Sequence, residues 1–414
     1  MQEALFSQAL GLAPPWAVER VQLDISKSRI DLYIAWQSKS AACPACGAAN
    51  QSLHDHRQRV WRHLDFFQYE AHVHCQLPRI QCNACNGTTQ LQVPWAREGS
   101  RFTLLFEALS LTLAREMPVA ACARILRCSN NALWRQIDAH VGAARAKESY
   151  ADVTVIGIDE TSCAKGHDYI TLVHDLEQPR LIFATPGKDA STLERFGQDL
   201  KAHQGDATNI EVVCMDMSKA FIQGAAKHLP QAAIAFDRFH VIQMANKAVD
   251  AVRREEARTQ DWLKKTRWGW LKDSTKWTTK EQENMQWLPH SHLKTARAWR
   301  IKEALRDIYA LQAGSGQTAH ALKKWLHWAQ RSRLQPIQDL ARSIKNHWTG
   351  IVKAFEAAHL HTGYVEAVNS LIQAAKAKAR GYGTTEHFIA MAFLIAGKLT
   401  HLPTNPLQKA RPIP

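Results

Sequence analysis

Two aspartates, each at the end of a short apolar run, are the residues whose types and spacing point most directly to chemistry. Asp159 closes a β-branched run that begins at Val153, and Asp216 closes a similar run that begins at Ile210. Runs of this composition favour buried β-strands. Two such strands lying parallel and adjacent would be about 4.8 Å apart and would bring the carboxylates together at one edge of a sheet. Because paired carboxylates repel each other unless a cation lies between them, the sequence predicts a divalent metal site.

A second set of possible metal ligands lies near the N-terminus. Two CxxC motifs, at Cys43 and Cys46 and at Cys82 and Cys85, each place two thiolates on one cation. Four thiolates close a tetrahedral zinc site. The interval between the motifs is longer than usual for a zinc ribbon, so mixed ligation stays open. The alternative ligands are His54, His56, His72, His74 and Cys75.

The composition limits both the size of the fold and the kind of partner. With 414 residues, 46% of them hydrophobic, the chain can bury a large core and is too long for one ordinary domain. A formal net charge of +14 favours a polyanionic partner, and nucleic acid is the first choice. No apolar stretch has membrane-spanning length, and the N-terminus lacks the basic segment of a secretion signal. We therefore expect a cytoplasmic, nucleoid-associated protein without a membrane partner.

The pattern becomes helical between the cysteine motifs and the first aspartate. A short apolar helix, a polar turn at Arg127 to Asn130 and a second, amphipathic helix predict a helix-turn-helix. The second helix would present Asn131, Trp134 and Arg135 to a major groove. A helical hairpin without any role in DNA binding would give the same pattern.

The segments around the two aspartates have the element order of a ribonuclease H-like fold. Three strands in consecutive hairpins begin with the Asp159 strand, and alternating helices and strands continue to Asp237. In that topology the first and fourth strands are neighbours, as the metal hypothesis requires.

The stretch from Asn246 to His361 is too long for such a core and predicts a helical insertion. It contains most of the 14 tryptophans, which we expect to be mainly core residues. A basic and aromatic segment within it is the part expected to contact DNA, through Lys264, Lys265 and Arg267.

The third carboxylate of the metal site is expected from a helix far downstream. Glu366 and Asn369 share one face of the helix predicted after His361. A basic segment follows, with Lys376, Lys378 and Arg380 as candidate DNA contacts. Asp237 and His240 are expected to support the site, although Asp237 could equally cap the next helix.

Together these motifs resemble those of the bacterial insertion-sequence transposases of the ISL3 family. The similar segments are residues 43–47, 158–161, 165–169, 216–218, 237–240, 253–255, 363–369 and 380–383, with Asn246. The resemblance covers nearly the whole chain. It implies a zinc-binding domain, a helix-turn-helix and a DDE catalytic domain in which Asp159, Asp216 and Glu366 are the catalytic triad and bind Mg²⁺.

The resulting expectation is a multidomain α+β protein that cuts and joins DNA. Its expected parts are a β-rich zinc module over 1–98, a helix-turn-helix over 99–148, a ribonuclease H-like α/β core over 149–248 and 359–401, a helical insertion over 249–358 and a disordered tail over 402–414. As a homodimer on double-stranded DNA, it would bind terminal inverted repeats and catalyse cleavage and strand transfer, with Mg²⁺ or Mn²⁺ as catalytic metal and Zn²⁺ as structural metal. Two alternatives remain, a catalytically silent DNA-binding regulator and a structure-selective nuclease.

Overall fold

The computed structural model describes residues 2–163, 168–189, 191–286, 290–311, 315–356 and 362–404. The chain divides into two units: the first comprises the residues up to Ala144 and the segment that begins at His401, and the second spans Arg145–Thr400. The first unit contains the cysteine motifs, and the second contains the aspartates. The predicted disordered tail lies mostly outside the described residues.

A six-stranded sheet forms the body of the first unit. Its strands are β1 (Trp16–Asp24), β2 (Arg29–Trp36), β3 (Ser40–Ala41), β4 (Gln51–Arg62), β5 (Glu70–Gln81) and β6 (Thr88–Gln90), preceded by the helix α1 (Gln2–Ala9). The main path is β1-β2-β5-β4-β3, with β6 paired to β5 and only β2 and β5 parallel. Three tryptophans meet edge to face in its core, with Trp95 contacting Trp16 at 5.1 Å and Trp61 at 5.7 Å between ring centroids.

The turn that joins β4 to β5 contains an unusual residue. Phe66 and Tyr69 exchange two backbone hydrogen bonds of 3.0 Å, which leaves Phe67 and Gln68 as the two central residues. Phe67 has a φ of 53°. Glycine is the residue favoured where the first central position of a hairpin turn has positive φ. A bulky side chain in the left-handed region costs roughly 1–2 kcal/mol.

Three helices complete the first unit, and the last two form the predicted helix-turn-helix. They are α2 (Leu104–Glu116), α3 (Val119–Ile125) and α4 (Asn130–Arg145). The hydroxyl oxygen of Ser129 accepts a hydrogen bond from the Ala132 amide at 3.2 Å and thereby caps the start of α4. Arg127, in the turn, has a φ of 53°.

A five-stranded sheet is the centre of the second unit, and its order is β11-β10-β7-β8-β9. The strands are β7 (Val155–Ser162), β8 (Tyr169–Asp175), β9 (Arg180–Pro186), β10 (Val212–Met215) and β11 (Ala233–Phe236). The helices α5 (Ser191–Ala202) and α6 (Lys219–His228) connect the later strands. Strands β7, β8 and β9 are antiparallel, whereas β10 and β11 run parallel to β7. The predicted adjacency of the first and fourth strands is confirmed.

The predicted end of the first strand at Asp159 was wrong. Strand β7 continues to Ser162 because its antiparallel pairing with β8 extends beyond Asp159, which lies opposite Leu172. Pairing with β10, in contrast, ends where Gly157 lies opposite Cys214. Asp159 therefore lies just past the end of the parallel pairing, even though it lies within a strand.

A helical region follows β11 and has its own hydrophobic core. Its helices are α7 (Arg238–Glu256), α8 (Arg267–Leu271), α9 (Thr279–Met285), α10 (Lys294–Ala310), α11 (Ser315–Gln330), α12 (Gln335–Asn346) and α13 (Trp348–Glu356). Trp270 and Trp325 are buried, and three others pack against the same core: Trp277, Trp299 and Trp348. The exposed tryptophans are Trp262, Trp268 and Trp328. Trp287 lies outside the described residues.

Two C-terminal helices, α14 (Thr362–Ala379) and α15 (Thr385–Ala396), return to the sheet. A β-carbon at Gly157 would lie 2.9 Å from the Cγ2 of Val365, so only glycine allows α14 to approach β7 this closely. None of the helices in the described ranges has the length and hydropathy needed to cross a membrane.

Candidate active site and metal centre

Three aspartates follow three neighbouring parallel strands and line one small cleft. Asp159 lies beyond the pairing of β7 with β10, Asp216 directly follows β10, and Asp237 directly follows β11. The cleft is also lined by His240 from the first turn of α7 and by Val365 from α14. Carboxylates from adjacent parallel strands therefore meet at one edge of the sheet, as the sequence predicts for Asp159 and Asp216.

The charges in this cleft influence each other. Burial raises the pKa of Asp159, and the negative charges of Asp237 and Asp216 raise it further. The side chain of Asp237 raises the pKa of His240, and the charges of Asp159 and Asp216 add to that effect. A bound divalent cation would relieve the repulsion among the carboxylates and favour their ionised forms.

Asn369 of α14 contacts Asp159, one of the aspartates that line the cleft. Its side-chain amide donates a hydrogen bond of 2.5 Å to Oδ2 of Asp159, and the Glu160 amide donates one of 2.8 Å to Oδ1. The Oδ1 atom of Asn369 is buried and has no hydrogen-bond partner in the described part of the chain. Carboxylate and amide oxygens are suitable ligands for a hard cation such as Mg²⁺, so this donor set fits one.

Further residues on the same face of α14 fasten the helix to β7. Gln373 donates hydrogen bonds to Thr161 Oγ1 at 2.6 Å and to the Ser162 carbonyl at 2.9 Å. The ammonium group of Lys376 donates to the same carbonyl. The spacing of Asn369, Gln373 and Lys376 places all three on one helical face. That spacing was the available signal for these fastening contacts, which sequence reasoning missed.

This arrangement changes the interpretation of the basic segment. Lys376, expected at DNA, is half-buried and bonded to the backbone of β7. Lys378 and Arg380, in contrast, are exposed.

Glu366 is not brought together with the two aspartates. It is exposed on α14, one turn before Asn369 on the same face. Within the described ranges, no group of three acidic, histidine or cysteine ligands other than four cysteines has its ligand atoms close enough to bind one ion. Asp237, in contrast, lines the cleft together with the two aspartates.

Asp237 also has the structural role that sequence analysis left open. Its carboxylate accepts a hydrogen bond of 3.0 Å from the Phe239 amide and caps α7. The distance from its Oδ2 to Nδ1 of His240 is 3.6 Å. Asp216 likewise accepts a hydrogen bond of 2.9 Å, from the Ser218 amide before α6. Both carboxylates are thereby oriented by the start of a helix.

The four cysteines of the two CxxC motifs form one cluster, with all sulfur atoms within 4.8 Å of one another. The Sγ atoms of Cys43 and Cys85 are 3.9 Å apart, and those of Cys46 and Cys82 are 3.5 Å apart. A tetrahedral zinc ion with Zn–S bonds of about 2.3 Å requires sulfur separations of roughly 3.8 Å. The cluster therefore fits a closed zinc site.

The alternative zinc ligands are not part of this cluster. Nε2 of His74 contacts Oδ1 of Asp31 at 2.5 Å, and Cys75 is buried in the core of the first unit. The described atoms of His54, His56 and His72 also lie outside the cluster. The mixed Cys/His ligand set is therefore wrong.

Besides the basic segment at the end of α14, the candidate DNA-contacting residues lie on α4 and in the helical region after β11. On α4, Asn131 and Arg135 are exposed and Trp134 is half-buried. In the helical region, Lys264 is paired with Asp261, whereas Lys265 is exposed. Arg267 lies 5.0 Å above the ring of Trp268, which is 66% exposed.

Comparisons with known proteins point to one family. A family model described as "Transposase", for the DDE domain of the ISL3 type, matches residues 156–392. Models described as "Helix-turn-helix domain of transposase family ISL3" and "zinc-finger of transposase IS204/IS1001/IS1096/IS1165" match residues 91–141 and 39–85.

Two relatives match over almost their whole length. The chain is 28% identical over 442 residues to the transposase for insertion sequence element IS1557 of Mycobacterium tuberculosis, covering 97% of each chain. It is 25% identical over 400 residues to the transposase for insertion sequence element IS1001 of Bordetella parapertussis, covering 94% of this chain and 97% of the relative.

Proposed function

Because the chain belongs to the ISL3 family of insertion-sequence transposases, we propose that it binds the terminal inverted repeats of its own element. It then cuts the DNA strands there in a metal-dependent reaction and joins the freed end to target DNA. The single observation that supports catalysis best is the meeting of Asp159, Asp216 and Asp237 at the ends of three parallel strands.

We assign the sheet and its C-terminal helices to a ribonuclease H-like core. The support is the strand order β11-β10-β7-β8-β9 with three antiparallel and two parallel strands, and the return of α14 to β7. Helices between α7 and α14, with their own hydrophobic core, would then be an insertion into that core.

The catalytic carboxylates in this proposal are Asp159, Asp216 and Glu366, which would bind Mg²⁺ or, in its place, Mn²⁺. Divalent ions bound there stabilise negative charge on the attacking and leaving oxygens of a phosphodiester. Asn369 orients Asp159 through its hydrogen bond, while the caps of α6 and α7 orient Asp216 and Asp237. Glu366 precedes Asn369 by one turn on the same face of α14, and in this proposal it joins the two aspartates when DNA and metal are bound.

Recognition of the inverted repeat is assigned to α4, whose exposed Asn131 and Arg135 are available to a major groove. The four-cysteine cluster holds a structural Zn²⁺, since four thiolates leave no coordination position open for chemistry. We expect a homodimer on DNA, because a twofold assembly matches the inverted arrangement of the two ends. The substrate implies action at the bacterial nucleoid.

The decisive experiment is cleavage of a labelled duplex that carries the inverted repeat and its flank, with Mg²⁺ and mapping of the cut strands. Strand transfer is followed by adding a target plasmid. Asp159→Ala, Asp216→Ala and Glu366→Ala should each abolish both reactions and leave end binding intact. Glu211→Gln is the matched control, because this exposed carboxylate lies at the opposite end of β10 from Asp216. Wild-type protein that binds the ends but never cuts them would reject the proposal.

A further inference from the structure

The tip of the β4–β5 hairpin presents an aromatic side chain that folding disfavours in two ways. Phe67 is 80% exposed and has a φ of 53° in the two-residue turn. A large apolar side chain in water contributes nothing to the core, and a left-handed backbone favours glycine. Backbone strain of this kind clusters at sites that bind ligands. A role outside folding would account for phenylalanine here.

The exposed ring is supported from behind. Phe67 contacts Phe66 with ring centroids 4.6 Å apart, and Phe66 contacts Phe6 of α1 at 5.4 Å. Edge-to-face contacts of this kind restrict the rings and favour a fixed orientation of the tip.

The same tip is joined to the turn of the helix-turn-helix. Arg127 forms an ion pair with Asp65, donates to the Gln68 carbonyl at 3.3 Å and lies 3.3 Å from a carboxylate oxygen of Glu70. Arg127 lies three residues before Asn130, where α4 begins. Because Arg127 contacts residues on both sides of Phe67, the tip lies close to the N-terminal end of α4, the end that would enter a major groove.

A second set of contacts fixes the hairpin to α2. The Thr103 amide donates to the Arg62 carbonyl at 3.0 Å, and the Arg62 amide donates to the Arg101 carbonyl at 2.9 Å. The ring of His63 contacts the hydroxyl of Thr103, which caps α2, at 2.8 Å. The hairpin is therefore held by α2 through Arg62 and His63 and by the turn of the helix-turn-helix through Arg127.

The charges beside Phe67 permit a polyanion to approach. The two acidic groups, Asp65 and Glu70, are each paired with both Arg62 and Arg127. Arg124, at the end of α3, is exposed and adds a further positive charge. The acids are thus compensated, and the surroundings of the tip carry a net positive charge.

We propose that the β4–β5 hairpin acts as a wing of the helix-turn-helix, with Phe67 inserting into the minor groove beside the major groove occupied by α4. Apolar side chains placed in a minor groove commonly enter between base steps and partly unstack them. The wing rests on the proposed function, in which α4 binds the transposon end, and adds a contact outside the segment read by α4.

The test uses full-length, zinc-loaded protein and a fluorescent duplex that carries the inverted repeat, with a random duplex as competitor. Phe67→Gly should lower affinity for the repeat about tenfold, while the thermal unfolding midpoint stays equal or rises because glycine suits the turn. Phe67→Trp should bind like wild type. Ile25→Ala is the matched control, since Ile25 is 71% exposed in a different turn of the same unit, and it should bind within twofold of wild type.

A 2-aminopurine base next to the bound repeat reports insertion directly. Its fluorescence should rise on binding of wild type and Phe67→Trp, and should not rise with Phe67→Gly. The wing proposal is wrong if Phe67→Gly binds the repeat within twofold of wild type. It is also wrong if wild-type protein binds without a change in the fluorescence of the 2-aminopurine. Altered self-association of Phe67→Gly with unchanged DNA affinity would instead make the tip a protein contact and also overturn it. Wild-type protein without preference for the repeat would reject both the proposed function and the wing.

Discussion

The thiolate cluster and the carboxylate cleft both gather groups of like charge, yet the structure completes only the first. All four sulfur atoms lie within 4.8 Å of one another. In the cleft, Asp159 and Asp216 meet beside Asp237, while Glu366 stays exposed on α14. The first site has the four ligands that a closed, tetrahedral zinc site needs. The second has Asp159, Asp216 and Asp237 along one small cleft, and Glu366 does not line that cleft.

The difference follows from how each site is built. Each pair of cysteines belongs to one tight turn, closed by backbone hydrogen bonds such as those from Cys43 to Ala48 and from Cys82 to Gly87. The cleft draws on three strands and on a helix more than 200 residues away, as the contact of Asn369 with Asp159 shows. Each CxxC turn positions its own two ligands locally, whereas the ligands of the cleft depend on how distant strands and a distant helix pack together.

Among the variants that test this difference between the thiolate cluster and the carboxylate cleft, the largest effect is expected at Glu366. Glu366→Ala should abolish cleavage if Glu366 joins the cleft once DNA is bound. Asp237→Asn should reduce the rate by only about 10–100-fold, the range for residues that orient metal ligands. Asparagine still caps α7, so this variant keeps the fold. Single-turnover cleavage of the end duplex measures both rates.

The reverse result would reassign the third carboxylate. If Glu366→Ala cuts at near the wild-type rate and Asp237→Asn is inactive, the cleft is already complete in the structure. The contrast between a closed and an open site would then be wrong.

The next effect concerns the thiolate cluster itself. Cys43→Ser should lose the zinc ion and end binding together, because binding of the ion supplies folding free energy to the module. Metal analysis and a binding assay with the end duplex check the two losses. Cys163→Ser, a half-buried thiol outside the cluster, should change neither. Native protein that carries no zinc at all would contradict the structural role.

These two sites also show what the sequence could and could not predict. The spacing within each CxxC motif predicts that its two thiolates share one turn, whereas the long interval between the motifs left mixed Cys/His ligation open. The adjacency of β7 and β10 followed from element order, and it correctly placed Asp159 beside Asp216. Both predictions depend on local pattern or on topology rules.

The less successful predictions depend on packing that the pattern does not encode. The end of β7 was misplaced because a strand paired on both sides can stop pairing on one side and continue on the other. The contact of Lys376 with the Ser162 carbonyl likewise depends on the packing of α14, and the expected contact of Lys376 with DNA stays a prediction. The strained turn at Phe67 had no sequence signal, because phenylalanine is not a residue that hairpin turns favour.

A smaller effect should separate base recognition in the first unit from general DNA contact in the second. Arg135→Ala should reduce discrimination between end and random DNA by about 1–3 kcal/mol, as for loss of a contact to a base edge. Lys265→Ala should weaken binding to both DNAs equally and should reduce the number of counterions released on binding by about one, which lowers the slope of affinity against salt concentration. Lys264→Ala should do the same more weakly, because Lys264 is already paired with Asp261.

Titrations with both duplexes at several salt concentrations measure these changes. If Arg135→Ala lowers the affinity for end DNA and for random DNA equally, base recognition lies in an element other than α4. That result would also remove the distinction between a recognising first unit and a catalytic second unit.

The smallest effect expected is a pH dependence of stability from the second unit, where His174 lies fully buried in β8 without a hydrogen-bond partner among the described residues. Burial lowers the pKa of His174 to about 3, whereas an unfolded histidine has a pKa of about 6.5. Between these values the unfolded chain binds a proton that the folded chain does not, so stability is full above about pH 6.5 and falls as the pH falls. Lowering the pH from 7.5 to 5.5 should cost about 1 kcal/mol through this group.

His174→Phe keeps the edge-to-face contact with Tyr364 and should remove that loss, as measured by urea unfolding of the second unit at both pH values. His320→Gln, an exposed histidine on α11, should keep the wild-type dependence. An unchanged pH dependence in His174→Phe would mean that His174 is not the buried neutral group that the structure indicates.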